Sequence, residues 1–350
     1  MLTFVSKESR EMMKAVVLSE AEGPEAARLQ DEPVPQPAAG EVRVALRAAS
    51  LNHRELWISR GMYPGMNLPS ILGADGAGVV DAVGDGVDAS MVGQEVVLYP
   101  ARDWGDNPDY PSGKFCLLGM PIPGTLAQYI CVPAENVCTK PAHLSFGQAA
   151  ALPTAALTAW RALTRKAGLK KGDKVLITGI GGGVATFALA FAVAKGADVW
   201  VTSGNPDNIE QAIALGAKGG FNYREEGWGK AAGKASGGFD VIIDGAPAAS
   251  FAAYTRSVAM GGRVVIYGST QGPKFEVNAP EFFLRHATIF GTAMGTVTDF
   301  NEMIGFVSDN KLEPVIESTF PLDQIAQAFT ALQGNHFGKV IVDIPAPNGA

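Results

Sequence analysis

From Lys14 to about Ala150, apolar residues arrive in short runs broken by glycine and proline: KAVVL, EVRVALRAAS, AGVVDAVG, QEVVLYP and AQYICVP. Runs of that length with turn residues between them predict an antiparallel, β-rich domain. The longest interruption, Ala101–Gly124, is rich in Pro, Gly and Asp and long enough to be a functional or lobe-like excursion. From Ser145 the period changes. SFGQAAALPTAALTAWRAL carries helical spacing, and beyond it apolar strands alternate with helical stretches as far as about Met294: VLITG, VWVTS, GFNY, FDVIIDG, RVVIYGS and ATIFGTA. Six strands with helices between them predict a complete, doubly wound parallel sheet of α/β class. Helices are expected at Asp299–Asp309 and Leu322–Gln333, and the final run, GKVIVDI, reads as a strand returning to the first domain. The expected domains are therefore 1–150 together with 295–350, and 151–294. Residues 1–12 read as a short mobile extension ahead of a first strand at Lys14–Leu18.

The most informative stretch is residues 175–204, VLITGIGGGVATFALAFAVAKGADVWVTSG. An apolar run meets a cluster formed by Gly179, Gly181, Gly182 and Gly183, and a small-residue helix from about Val184 to Lys195 leads to a second apolar run. Strand, glycine turn, helix and parallel strand form a mononucleotide-binding unit, in which the backbone approaches a pyrophosphate at a helix N-terminus. The spacing is not the strict G-x-G-x-x-G; small residues recur instead at steps of three, at Gly179, Gly182 and Ala185. An isolated glycine loop is equally an ordinary strand-to-helix turn, and it is the flanking elements that favour a dinucleotide.

Composition narrows the class further. A chain of 350 residues has room for about two domains. With 47 % hydrophobic and 18 % charged residues it is globular rather than disordered. A net charge of −7 and the lack of a basic block argue against nucleic acid or an anionic membrane as the main partner. No apolar run reaches the roughly 18 residues of a membrane helix. The N-terminal stretch is interrupted by Lys7, Glu8, Arg10 and Glu11 where a signal peptide needs its apolar core. Cys116, Cys131 and Cys138 are irregularly spaced and suit a reducing compartment, so a cytoplasmic location is expected.

Read in order, NHRELWISRGMYP, LPSILGADGAGVVDAVG, VGQEVV, GTLAQYICVPAENV, LSFGQAAALPTAALTAWRAL, the glycine unit and the terminal FGKVIV resemble the medium-chain dehydrogenase/reductase superfamily. The likeness spans nearly all of the chain after residue 12 and is greatest to the zinc-independent, quinone oxidoreductase-like branch. It implies a Rossmann six-stranded sheet inserted in an antiparallel GroES-like catalytic domain. Zinc-dependent members hold their catalytic metal with a Cys, the His of a Gly-His-Glu turn and a second Cys. The matching positions here are Asn52, Ala74 (in Gly73-Ala74-Asp75) and Thr154. An amide, a methyl and a hydroxyl cannot supply the N/S set that zinc takes. The four-cysteine lobe is also missing, since Ala101–Gly124 contains only Cys116. His53, Glu55 and Asp75 could be imagined as a substitute cluster, but these positions are not ligands in the family. No metal is expected.

Without a Lewis acid, hydride transfer needs an acceptor that is already electrophilic and whose product anion is delocalised, which describes quinones and α,β-unsaturated carbonyls. By resemblance, Asn52 and Tyr63 are the catalytic candidates: Asn52 as a donor near the nicotinamide or as the cap of a helix starting at His53, Tyr63 as a proton donor or a pocket wall. His53 matches a pyrophosphate-binding basic position or is a surface residue. Arg54 replaces a proton-relaying hydroxyl. Thr158 matches a threonine that packs near the nicotinamide ring or is a plain helix residue, and Thr154 is likewise assigned to the cofactor. Gly268, Ser269 and Thr270 at the end of the fifth strand are expected to give backbone contacts to the nicotinamide. Asp244 and Gly245 end the fourth strand, where Asp244 either caps a turn or meets ligand. Trp57, Met62, Met66 and Met294 suggest an apolar pocket or plain core.

The second strand ends Val201-Thr202-Ser203-Gly204-Asn205 without the carboxylate that holds the ribose of NAD. That absence permits NADP: Ser203 can donate to a 2′-phosphate, and Tyr223 resembles a tyrosine that does so in NADP-using relatives or else packs under the adenine. Arg224 adds charge, which favours NADP over NAD although Asn208 stands where relatives carry a phosphate-binding Lys. The expected function is an NADPH-dependent, zinc-independent reductase of quinones or conjugated carbonyls. The alternatives are a zinc-free aldehyde or ketone reductase and a non-catalytic NADP(H)-binding protein. The apolar sixth strand, at the sheet edge, predicts a homodimer paired near Ile289.

Overall fold

The computed structural model describes residues 11–346, so residues 1–10 of the expected extension lie outside the described residues. The first strand, Met12–Leu18, begins two residues earlier than its sequence pattern suggests and pairs antiparallel with Ala27–Pro33. The glycine-broken apolar runs assemble a seven-stranded sheet whose centre is Glu41–Ser50. Asp75–Val83 pairs along one side of that strand; Tyr129–Pro133 takes its first half on the other side, and Lys339–Asp343 its last residues. Ile316–Pro321 completes the sheet by pairing parallel to Lys339–Asp343. Ala27–Pro33 and Ile316–Pro321 were not legible as strands, because RLQDEP and IESTFP place polar residues at the exposed alternate positions. Within the Ala101–Gly124 excursion, Ala101–Arg102, Cys116–Leu118 and Pro121–Ile122 form a small sheet of their own.

The six expected strands of the second sheet are all present and parallel. Their order is Gly219–Asn222, Asp198–Ser203, Lys174–Ile177, Phe239–Asp244, Val258–Ile266, Thr288–Gly291. Winding reverses between Lys174–Ile177 and Phe239–Asp244, which opens a crevice at the strands' carboxyl ends. Val175 and Ile177 point into one core and Leu176 into the other, each fully buried, as period-two alternation requires when helices cover both faces.

SFGQAAALPTAALTAWRAL is two helices rather than one. Ser145 caps Phe146–Ala150, and Pro153 opens Pro153–Arg161, where its missing N–H costs nothing. The second of these packs on the glycine-unit helix, Gly183–Ala194, with Trp160 and Phe191 edge to face at 5.6 Å. At its far end Arg161, 1 % exposed, donates to Asp299 at 2.5 Å and to the carbonyls of Pro108 and Asp109 at 2.6 and 2.9 Å. Asp299 caps its own helix, Val297–Asp309, through Thr296 and also receives Arg165. No helix among the described residues is long and apolar enough to cross a membrane.

Candidate active site: a cleft between the two sheets

A cleft of about 680 Å³ runs between the carboxyl ends of the parallel strands and the helix His53–Ser59. Asn52, His53, Tyr63, Thr154, Thr158, Gly179, Gly181, Gly182, Gly183, Val184, Ser203, Tyr223, Gly268, Ser269 and Thr270 all line it. Arg224 does not. It lies on the surface beside Tyr223, and both side chains lean against Gly204: a Cβ there would meet the Tyr223 hydroxyl at 2.7 Å and the Arg224 Nε at 2.8 Å. Trp57 and Met294 line the cleft, whereas Met62 is 56 % exposed and Met66 packs into the core of the first sheet.

The glycine turn has the geometry of an anion cradle. Gly179 takes φ +64° and Gly181 φ +146°, conformations that side chains resist. Gly182 caps the helix Gly183–Ala194 with no side-chain bond, so the first helical N–H groups are not capped by a side chain. A Cβ placed at Gly179 or Gly182 would meet nothing within 4 Å, whereas one at Gly181 would press on the His336 carbonyl at 2.8 Å. Asn208 is buried and donates to the Ile180 carbonyl at 3.2 Å, holding this turn from behind. Asp244 faces away from the cleft. It is fully buried and accepts from Thr178, Ser250 and Tyr254 at 2.6–2.8 Å, so it ties strand to helix; only Gly245 lines the site.

Opposite the turn, five elements converge. Sheet register places Ser50 beside Asp75, and two residues further on Asn52 caps His53–Ser59 with its backbone N–H bonded to Glu55 Oε2. Asp75 is fully buried. Its Oδ1 accepts from the Thr154 N–H at 2.9 Å and hydroxyl at 2.5 Å; its Oδ2 accepts from Asn52 Nδ2 at 2.9 Å, Ser50 at 3.2 Å and Lys339 Nζ at 3.3 Å. Lys339, 3 % exposed, also donates to the Leu51 carbonyl at 2.8 Å and Asn52 Oδ1 at 2.5 Å. The positions of Asn52 and Thr154 are thus joined through a buried carboxylate and an ammonium. No group of three or more His, Cys, Asp or Glu side chains that could hold a metal occurs among the described residues.

Burial pulls the Lys339 pKa below its ordinary value, against the opposing pull of Asp75 and Glu55. Glu55 is raised by burial, partly offset by Arg54 and by the Asn52 N–H. Burial also works against Arg54, but Glu55 and Tyr63 outweigh it and hold the guanidinium firmly protonated. That guanidinium stacks 4.9 Å over the Tyr63 ring while donating to Glu55 at 2.9 Å and the Leu118 carbonyl at 2.8 Å. His53 sits 5.6 Å from the His336 ring; loss of water around it, then His336 and Lys339, push its pKa down to about 4. The direction favours the neutral imidazole, tempered by the solvent that still reaches this exposed residue.

Lys339, His336, Asn335 and Tyr267 line the cleft but were not singled out as site residues from the sequence. One signal was available for Lys339: it is the lone charge in the apolar run FGKVIV.

Residues 38–142 match the alcohol dehydrogenase GroES-like domain family and residues 183–309 the zinc-binding dehydrogenase family. The zinc-type alcohol dehydrogenase-like protein YogA of Leptosphaeria maculans is 35 % identical over 331 residues, covering 89 % of this chain and 92 % of its own. Quinone oxidoreductase of Homo sapiens is 30 % identical over 329 residues, covering 91 % and 93 %. The crystal structure of an NAD-dependent alcohol dehydrogenase superposes with a TM-score of 0.90 at 37 % identity, over 95 % of this chain and 100 % of that one.

Proposed function

Because the chain belongs to the medium-chain dehydrogenase/reductase superfamily and is an NAD(P)H-dependent oxidoreductase, we propose that it is the zinc-independent kind, reducing quinones or α,β-unsaturated carbonyls with NADPH. The observation that carries this reading is the Asn52–Asp75–Thr154–Lys339 network. A fixed ammonium and an amide stand among the positions where a metal would need thiolate and imidazole, and that donor set does not fit zinc. The name of the fungal relative includes zinc; this chain's own side chains do not support it.

The open space at Gly179 and Gly182 fits a pyrophosphate, and the Gly183–Ala194 N-terminus would face it. Gly268, Ser269, Thr270 and Thr158 would flank the nicotinamide, and His53 the phosphates. Ser203, Tyr223 and Arg224 would take the 2′-phosphate, where Gly204 leaves no carboxylate to repel it. When bound, NADPH supplies the hydride. Asn52 donates an amide hydrogen to the acceptor's oxygen, Tyr63 offers its phenol to the same cleft, and Trp57 and Met294 exclude water. Unpaired Cys116, Cys131 and Cys138 fit the reducing cytoplasm.

Exhaustively chelated protein is expected to oxidise NADPH with a simple 1,4-quinone, at a higher kcat/KM than with NADH. Turnover that needs added zinc, or NADPH binding without reduction of any quinone or enone, would overturn the assignment.

We also propose a homodimer through the sixth strand. Among the described residues Thr288–Gly291 pairs with Val258–Ile266 alone, and nearby Met260, Val277, Phe283 and Leu284 are 71, 44, 62 and 64 % exposed. Ile289 itself is half-buried against the sheet's own core, so Ile289→Lys would test folding as well as pairing. Phe283→Lys with Leu284→Lys is the cleaner variant and is expected to convert a dimer to a folded monomer in light scattering. A monomeric parent, or a dimer unmoved by both substitutions, removes the proposal.

A further inference from the structure

Lys339 stands at the meeting point of both halves of the cleft. Its stem crosses the start of the Gly183–Ala194 helix so closely that a Cβ at Gly183 would lie 2.7 Å from its Cδ. Its ammonium has three hydrogens, and three acceptors surround it: the Leu51 carbonyl, Asn52 Oδ1 and Asp75 Oδ2. No hydrogen of that group is left over for a phosphate.

The same contacts fix the Asn52 side chain. Lysine can only donate and a carboxylate can only accept, so the amide oxygen must face Lys339 and the amide nitrogen Asp75. Turning the amide over would set NH₂ against the ammonium and oxygen against the carboxylate, two repulsive contacts in a buried site. One amide hydrogen goes to Asp75. The other is the single polar hydrogen that this side chain has left, and Asn52 lines the cleft.

We propose that Lys339 is a positioning residue: with Asp75 it locks the Asn52 carboxamide in one orientation, so that its free N–H is presented to the oxygen of the acceptor. The proposal rests on the reading of the cleft as the place of acceptor reduction. It assigns to Lys339 the task of setting a donor's direction, in place of holding cofactor. Pre-set donors favour the transition state because they need no reorganisation when charge develops on oxygen.

The test uses the full chain and four variants: Asn52→Ala, Lys339→Met, the two combined, and Lys339→Met with Asp75→Asn. The last removes both buried charges together and serves if Lys339→Met alone fails to fold. Asn52→Ala is expected to lower kcat for a 1,4-quinone by about 10²-fold, the usual loss for one such donor. Lys339→Met should lower it to a similar degree, and the combined variant by no more than about threefold beyond either, since residues acting as a unit are non-additive. The Kd for NADPH, read by its fluorescence, should stay within about threefold of wild type in all of them.

A second readout does not depend on turnover. In protein labelled with ¹⁵N-asparagine, the Asn52 side-chain signal is identified by its loss in Asn52→Ala. It should be protected from solvent exchange in wild type and lose that protection in Lys339→Met, or in Lys339→Met with Asp75→Asn. Unchanged protection in whichever variant folds, multiplicative losses in kcat, or a Kd for NADPH raised tenfold or more with kcat retained would each overturn the proposal. The last result would make Lys339 a cofactor ligand. Failure of wild type to reduce any quinone or enone would defeat the assigned function instead, while the exchange measurement would still decide the role of Lys339.

Discussion

Gly182→Val is expected to abolish NADPH binding and leave the protein folded. Gly182 has φ −70° and ψ 153°, an extended conformation that valine adopts freely, and a Cβ there touches nothing within 4 Å. The new side chain would project into the cleft rather than into core, so the thermal midpoint should move by no more than about 2 °C. The same space is where a pyrophosphate would have to reach the backbone N–H groups at the start of the Gly183–Ala194 helix. Holding the phosphates off by the thickness of an isopropyl group should raise Kd at least about 10²-fold, or roughly 2.7 kcal/mol. Gly181→Ala is the contrasting control. Its φ of +146° and the His336 carbonyl 2.8 Å from the added methyl make it a change that costs stability as well as affinity. Wild-type affinity in Gly182→Val would mean that the dinucleotide does not lie across this turn.

Arg161→Met should be the most destabilising of the single substitutions considered for this chain. Arg161 and Asp299 are buried together, with side chains 2 % and 1 % exposed, and the arginine also serves two carbonyls of the Ala101–Gly124 excursion. Removing one partner of such a pair strands a charge away from water, a loss of about 3–5 kcal/mol. The lower end applies here because Arg165, still half in solvent, keeps its 2.8 Å bond to Asp299. Equilibrium denaturation measures this directly, and a change below about 1 kcal/mol would show that the pair contributes little. The same site makes stability depend on acid. Burial tends to raise the Asp299 carboxyl, but Arg165, the Thr296 N–H and Arg161 together outweigh it and hold the group below the usual carboxylate range. A folded value below the unfolded one, near 3.9, gives a contribution that is complete above about pH 4 and is lost as pH falls through the folded value. Asp299→Asn should flatten stability over that acid window and leave the curve above about pH 5 parallel to wild type.

Much of this architecture was legible because its signals are local. Alternation of apolar runs with glycine and proline marks strands such as Glu41–Ser50, and the helix-to-strand alternation after Ser145 gives all six parallel strands. The glycine unit announces its own turn. What stayed hidden depends on partners far away in sequence. Asp75 was weighed only as a metal ligand, because nothing adjacent reveals that Ser50, Asn52, Thr154 and Lys339 would all donate to it. Arg224 was grouped with Tyr223, and the two side chains do meet at Gly204, although of the pair only Tyr223 lines the cleft. Asp244 takes the turn-capping alternative, accepting from the Ala246 N–H, and what the sequence did not show is that Thr178, Ser250 and Tyr254 also hold it inward.

The strand Lys339–Asp343 gives the chain an order of assembly. Ile341, Val342 and Asp343 pair with Ser50, Ala49 and Ala48, contacts that close a loop of nearly the whole polypeptide. Until residues 339–343 have been made, the edge of Ala48, Ala49 and Ser50 that faces away from Asp75–Val83 has no partner strand, while the parallel sheet can already form from residues 174–291. The residue that opens this late strand is Lys339, so the buried network around Asn52 cannot close before that strand has been made. A product that stops short of Lys339 therefore carries the glycine turn without the ammonium opposite it, and exposes a β-edge open to pairing with other chains.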